Sequence, residues 1–383
     1  MKIVHTTIRY PPAIGGVESY VADLCAGLRD HGHQVQVYTS DLAQHLRPVP
    51  LPPQVPRVER GGVAVRRLHA VALPGIAGYP LLPALLRRLA TVQADVIHGH
   101  CFNYCSADFA ALMGHLRGIP FVLTPHFTPA YTPKWRMYQR TLGRLTMRAD
   151  VTAVVSPFEQ QTIEGLGFRV RCFAPLPPAV DVAAYQGPRD AAFLARYGIN
   201  PQDHQTVLFV GRVCREKGVD LLIRAAQTVV RRAPETRFLL VGPDWGDRPA
   251  FETQVVEAGL AGKVIFTGDL PRCDVLAAYR SADLLGFPSR YEAFGIVLIE
   301  AMAAGLPVVA TRTAAIPYVV EHGHTGLLSA PEDTDALAAG LLQLLRDPAL
   351  RATMGATAAR HAATQYSRAA QVQQAEAIYR SVM

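Results

Sequence analysis

The sequence predicts an α/β protein made of two facing, doubly wound Rossmann-like domains. Three observations carry this prediction. Short apolar strand runs alternate with amphipathic helical stretches along most of the chain. The alternation stops at a Pro-rich, Gly-containing linker, roughly residues 175–201, and then restarts. The most unusual residues fall just after strands, where ligands of open parallel sheets bind. At 383 residues the chain is also too long for one ordinary core, and two domains of about 180 residues each are expected.

In chain order, residues 2–7, 34–39, 94–98, 121–124 and 151–155 read as strands of a first parallel sheet. The clearest helix between them begins at Gly16. Val17, Tyr20, Val21, Leu24 and Leu28 form its apolar stripe, and His31-Gly32 stops it. After the linker, residues 206–210, 237–241, 263–267, 283–287 and 307–310 form a second strand set. The last helix, from residue 367, has no strand after it and is expected to pack back across the domain junction. The expected domains are residues 1–178 with 365–383, and residues 179–364.

Composition excludes several classes. Half of the residues are hydrophobic, enough to fill two cores. The net charge of +7 suits phosphate-bearing substrates or an anionic membrane surface, but the basic residues are scattered and carry no nucleic-acid-binding signature. The six cysteines are dispersed without paired CxxC units, which disfavours disulfides and structural zinc and suits a reducing cytosol. The N-terminus lacks the apolar stretch of a signal peptide. The longest uncharged run, from Val71, is interrupted by Pro74, Pro80 and Pro83, so it reads as a loop able to touch a bilayer but not to cross it as a helix.

The chemistry concentrates in residues 288–307, PSRYEAFGIVLIEAMAAGLP. A helix expected over 293–302 places Glu300 inside it and Glu292 in the preceding loop, at most roughly 12 Å apart at helical rise. Between them Phe294, Gly295 and Ile296 offer backbone N–H groups at a helix N-terminus, which suits an anion. Such an element fits a ligand with hydroxyls at both ends and a phosphate in the middle, the layout of a nucleotide sugar. Upstream, GRVCREKG follows the strand TVLFV, so Arg212 and Lys217 emerge from a strand-to-helix loop where two cations can grip a diphosphate. Lys217 is one of only four lysines. The GxxxxGK[ST] order of a Walker loop is absent, and so is a GxGxxG after the first strand.

G-R-x-x-x-x-K-G followed by E-x7-E resembles the large family four of retaining glycosyltransferases with the GT-B fold. The resemblance runs from the N-terminal loop IGGVES to the terminal helix and is strongest in the second half. It implies that the C-terminal domain binds the nucleotide sugar and the N-terminal domain the acceptor, in a cleft between the two. By resemblance, Arg212 and Lys217 hold the diphosphate, Glu292 the donor-sugar hydroxyls and Glu300 the ribose hydroxyls. His126, in LTPHF, would contact the sugar near the reacting carbon. The donor site is expected to include Gly15 and Gly16, Gly211, Gly242, Gly268 and Leu270, and the run Ala293, Phe294, Gly295 and Ile296. His100, Tyr131 and Lys134 are the expected acceptor contacts. Ser156 matches a serine common in the family, although helix capping explains it equally well.

His98 and His100 share one strand face and raise the question of a metal. Nearby Cys, Asp or Glu at ligand spacing is lacking, and the resembled enzymes generally work without a bound metal, so neither metal nor cofactor is expected. Residues 132–148 mix Lys134, Arg136, Arg140, Arg144 and Arg148 with Trp135, Tyr138, Leu142 and Leu145 on an expected helix. That suits an anionic lipid surface or a phosphorylated acceptor, and equally a solvated basic face over a core stripe. The expected activity is sugar transfer from a nucleotide-diphosphate sugar to an acceptor hydroxyl, lipid-linked or phosphorylated, by a cytoplasmic enzyme with the inner membrane face as a candidate partner. A sugar-phosphate synthase or epimerase of the same fold, or a non-catalytic nucleotide-sugar binder, are the alternatives. A glycoside hydrolase using Glu292 and Glu300 would leave Arg212 and Lys217 without a role.

Overall fold

A computed structural model describes residues 1–13, 15–44, 49–56, 58–72, 79–127 and 133–383, except the side chains of 59–61 and 133–135. The chain forms two compact units, Met1–Ala179 with Arg368–Met383, and Val180–Ser367.

The first unit contains β1 (Lys2–Thr6), β2 (Gln34–Ser40), β3 (Leu42–Gln44), β4 (Val49–Pro50), β5 (Val58–Gly61), β6 (Val63–Leu68), β7 (Val96–His100), β8 (Phe121–Thr124), β9 (Val151–Val154) and β10 (Phe173–Pro175). Eight of these make one sheet, ordered β10-β9-β8-β7-β1-β2-β6-β5, while β3 and β4 pair as a separate ribbon. The sheet is parallel except for β5, which runs antiparallel to β6 at the edge. Winding outward from β1 and then returning to β7 creates a switch point between these neighbours, the position where crevices open beyond strand ends. In that register His5 lies opposite His98.

The helix Gly16–Asp30 follows its apolar stripe, with Val21, Leu24 and Leu28 fully buried. It packs against the terminal helix Arg368–Val382. Gly27 makes the close approach workable, since a side chain there would meet Val372. Arg368 also reaches Asp23 at 3.1 Å, and the Gln371 amide donates to the Pro177 carbonyl at 2.8 Å. The end of the chain is thus a structural part of the first unit.

Two local differences from the sequence reading have clear causes. Val63–Leu68 is a strand despite carrying Arg66 and Arg67. Val63 and Val65 point inward at period two, and the buried Arg67 guanidinium donates to the carbonyls of Pro56 and Pro11. The expected single helix over 132–148 is two, Pro133–Arg140 and Leu142–Thr146, broken at Thr141. The break seats Gly143 against Phe102 and Tyr138. Tyr138 then donates to the buried Asp108 at 2.6 Å, a carboxylate that also accepts from Tyr79 and Thr146.

The second unit carries β11 (Gln205–Val210), β12 (Thr236–Val241), β13 (Val264–Gly268), β14 (Leu284–Phe287), β15 (Val308–Thr311) and β16 (Gly326–Ser329). They form one fully parallel sheet, ordered β13-β12-β11-β14-β15-β16, with its switch point between β11 and β14. The strands are almost entirely apolar because helices cover both faces. The expected linker begins where β10 ends and is partly ordered into the short helices Val182–Tyr185 and Ala191–Ala195. Two parallel-sheet Rossmann-like units are the architecture of the GT-B fold.

Candidate functional site

Residues after β11 and β14 meet at the switch point of the second unit. Beyond β11 the chain makes a single tight turn, Arg215–Lys217, and reverses at Gly218. Gly218 has φ +72°, and a side chain there would collide with the Pro288 carbonyl. Only glycine lets the two loops approach this closely. Lys217 Nζ consequently lies 2.7 Å from Glu292 Oε1 and 3.5 Å from the Tyr291 carbonyl. Both side chains are mostly buried, at 14% and 12% exposure. Arg212 stands on the same loop, 2.8 Å from Glu216, with its guanidinium over the Trp245 ring at 5.0 Å.

Arg290, which the sequence reading passed over, stitches these loops together. Its guanidinium grips Asp220 through two bonds of 2.8 and 2.9 Å and Glu332 through two of 2.7 and 2.9 Å. It donates as well to the Arg215 carbonyl, and its own N–H donates to Glu216 at 2.9 Å. These pairs hold Asp220 below the usual carboxylate range. The only signal available in the sequence was a charged residue inside PSRYE.

The helix after β14 spans Ile296–Ala303, beginning three residues later than expected. Gly295 caps it at φ +91°, a left-handed conformation that no helical residue adopts, so Ala293 and Phe294 belong to the loop. Phe294 is buried, with its ring edge-on to Tyr366. The first-turn N–H groups from Ile296 onward have no i−4 acceptor, as at any helix start. Glu300 lies within the helix as expected, and its carboxylate is heavily engaged. Oε1 accepts from Arg272 at 2.9 Å and from the Tyr185 hydroxyl, and Oε2 accepts from Tyr279 at 2.8 Å. Arg272 also donates to the Tyr185 oxygen at 2.5 Å and covers that ring. Tyr185, Tyr279 and Arg272 come from two other helices, so spacing could not pair them with Glu300.

Among the expected glycines, Gly242 fits a packing role. A side chain there would strike the Gly211 carbonyl, and Gly211 N–H donates to Val241 at 2.9 Å, so the pair lets β11 and β12 end side by side. Gly268 ends β13 and accepts from Gly242 at 3.0 Å, with half-buried Leu270 just beyond.

In the first unit, His126 follows β8 at φ +46°. Its ring lies edge-on to Tyr20 at 4.7 Å and stacks at 5.9 Å with His100. Glu159 fixes the adjacent backbone, accepting from Phe127 at 2.5 Å and from Val155 at 2.7 Å. Burial raises the Glu159 carboxyl to about 7. Ser156 caps the helix Pro157–Gly165, accepting from the Glu159 N–H, so the capping reading of this serine holds. Gly16 opens its helix as expected, and the neighbouring Gly15 leaves room for Glu18, which pairs with Arg9 at 2.5 Å.

His98 and His100 are fully buried and are joined by His5, which the sequence reading did not connect with them. Ring nitrogens of the three lie within 4.8 Å of one another. His5 Nδ1 and His100 Nε2 share a hydrogen bond of 2.9 Å, and His98 bonds Tyr379 at 2.7 Å and Thr124 at 2.8 Å. Burial lowers His5 and His126 to about 3 and His98 and His100 well below the usual range, so all four are neutral. His100 has no exposed surface to offer an acceptor. Its ring instead stacks with that of His126. Tyr131 lies outside the described residues, as does the Lys134 side chain. So does most of the apolar loop beginning at Val71. No helix among the described residues is long and apolar enough to cross a membrane.

Residues 195–361 match the family Glycosyl transferases group 1, and residues 14–184 match Glycosyltransferase Family 4. The phosphatidyl-myo-inositol mannosyltransferase of Mycolicibacterium smegmatis is 33% identical over 88% of this chain and 83% of its own length. The D-inositol 3-phosphate glycosyltransferase of Thermobispora bispora is 30% identical over 94% of this chain and 89% of its own. Among solved structures, sucrose-phosphate synthase from Thermosynechococcus elongatus superposes with a TM-score of 0.78 at 25% identity, covering 99% of this chain and 98% of that one.

Proposed function

Because the chain belongs to the group 1 glycosyltransferases of family four, we propose that it transfers a sugar from a nucleoside-diphosphate sugar to an acceptor hydroxyl, with retention of configuration. The observation that carries this reading is the convergence of Lys217, Arg212 and Glu292 at the β11/β14 switch point.

Arg212 and Lys217 bind the diphosphate and neutralise the charge that develops as it leaves, work that a divalent ion performs in other enzymes. The N–H groups at the start of the helix Ile296–Ala303 add a positive dipole end. Glu292 accepts hydroxyls of the donor sugar, and Glu300 those of the ribose. Both carboxylates are held by cationic partners, which suits accepting hydrogen bonds better than attacking carbon. The acceptor hydroxyl therefore attacks the anomeric carbon on the face the diphosphate leaves. The C–O bond to the leaving phosphate breaks, and a phosphate oxygen takes the acceptor's proton. Neutral His126 supplies a hydrogen-bonding edge for the reacting sugar.

For the acceptor we favour a phosphorylated cyclitol, free or lipid-linked. The named substrates of the two relatives share that chemistry. Arg136, Met137 and Arg140 are exposed on one short helix, with exposed Leu142 just beyond, and this mixed basic and apolar surface suits an anionic membrane. The likeness to sucrose-phosphate synthase supports a second reading, in which a soluble sugar phosphate is the acceptor.

The test is a panel of nucleotide sugars scored first by protection against thermal unfolding. The protecting donor is then offered inositol phosphate, phosphatidylinositol vesicles and hexose phosphates, with the product anomer read by NMR. An inverted anomer refutes retention, and nucleotide-independent glycoside cleavage refutes the transferase reading.

A further inference from the structure

The first unit holds a concavity at the opposite end of the strands from His126. It has a volume of about 560 Å³ and opens beside Phe121, the first residue of β8, and Asp150, which precedes β9. Small-molecule sites commonly fall between about 300 and 1,000 Å³.

The charge on its walls is one-sided. Arg148, Arg169, Arg171 and His115 all line it, and Asp150 is its one acidic residue. That acid is already committed, because Oδ1 accepts from Arg171 at 2.6 Å and Oδ2 from the Phe121 N–H at 2.9 Å. Arg148 and Arg169 find no acceptor among the described residues, so two arginines line the cavity without an acidic partner. Ile119, Phe121, Leu145 and Val170 give the lining an apolar part. Arg148 therefore does not extend the basic face of Arg136 and Arg140, from which the break at Thr141 separates it.

A cavity lined by two arginines without acidic partners and by apolar side chains matches a small anion bearing a hydrophobic group. We propose that it is a second binding site, distinct from the transfer site, for an organic phosphate. Arg148 and Arg169 grip the phosphate, and Phe121, Leu145 and Val170 contact the apolar portion. Such a ligand is either a free phosphomonoester or a phospholipid headgroup with the start of its chains.

Calorimetry of the full chain with phenyl phosphate, inorganic phosphate and phenol tests the site. Saturable binding of phenyl phosphate is expected, tighter than inorganic phosphate, weakened by salt and weakened about tenfold or more in Arg148→Ala/Arg169→Ala. Both arginines are exposed, and an unchanged melting temperature checks that the variant folds. Lys217→Ala should keep this binding; its loss there would assign the phosphate to the transfer site and overturn the proposal. Absence of saturable binding, or equal binding by the double variant, also overturns it. Vesicles with and without phosphatidic acid separate the two sources. Vesicle binding lost in the double variant supports a lipid headgroup, and binding of soluble phenyl phosphate alone supports a free phosphomonoester.

Discussion

Lys217 and Glu292, 75 residues apart in sequence, meet at 2.7 Å where the loops after β11 and β14 touch. Each neutralises the other's charge, and Gly218 allows the close approach of the two loops. In the proposed reaction a diphosphate with a sugar attached would offer both groups a replacement partner, an anion for the lysine and hydroxyls for the carboxylate.

Lys217→Ala and Arg212→Ala should each lower kcat on the order of 10² to 10³-fold, the usual loss for one electrostatic donor at a leaving group. The melting temperature of Arg212→Ala should stay close to that of the parent, because its partner Glu216 is exposed, while Lys217→Ala should lower it modestly, because the mostly buried Glu292 loses its cation. Turnover within a factor of two in both variants would remove these residues from the reaction.

Glu300→Gln should weaken nucleoside diphosphate binding about tenfold and leave inorganic pyrophosphate binding unchanged. The carboxylate already accepts from Arg272, Tyr185 and Tyr279, and one lone-pair position remains for a ribose hydroxyl. Equal loss of both ligands would show that the substitution disturbs the loop instead.

His126→Ala should reduce kcat by roughly 10²-fold while the Kd of the nucleoside diphosphate, which carries no sugar, stays constant. Isothermal titration beside steady-state kinetics separates the two effects. A matching loss in nucleotide affinity would move His126 away from the reacting sugar.

Acid should destabilise the first unit. His5 and His126 titrate at about 3 in the folded chain and near 6.5 when unfolded, and His98 and His100 are displaced the same way. The unfolded state binds more protons as pH falls from about 6.5 toward 3, so stability is present above that window and lost through it. Each histidine contributes about 1.4 kcal/mol per pH unit there. Glu159, protonated in the fold up to about 7, works in the opposite sense, as do the buried carboxyls of Glu18 and Asp108, which are also raised, so three groups offset part of the effect of four histidines. Urea midpoints should drop between pH 7 and pH 5, and drop less in His5→Gln/His100→Gln. A flat profile in the parent would contradict the burial of neutral imidazoles.

Asp108→Ala should cost about 3 kcal/mol, because the hydroxyls of Tyr79, Tyr138 and Thr146 would lose their shared buried acceptor. Urea unfolding followed by circular dichroism measures this. A loss below about 0.5 kcal/mol would mean that water replaces the carboxylate.

The sequence by itself determined the two strand sets, the break between them and the loops bearing Arg212, Lys217, Glu292 and Glu300. These features depend on near-neighbour physics. Apolar runs of strand length, helical stripes such as Val21, Leu24 and Leu28, and charged residues just beyond a strand are all visible in a short window. Edge elements were harder to read, since β6 carries two arginines, of which the buried Arg67 finds its acceptors in the carbonyls of Pro56 and Pro11. Only the tertiary structure decided what surrounds each functional group. It brought His5 to His98 and His100 through β1 and β7 pairing, and it buried all three. It set Arg290 as the clasp of the site and gave Glu300 three partners from two other helices. The same packing set Arg148 and Arg169 on the walls of one cavity. Hydrogen bonds and ion pairs act over a few ångströms regardless of separation along the chain, so their partners become legible only when the sheets have fixed which strand ends are neighbours.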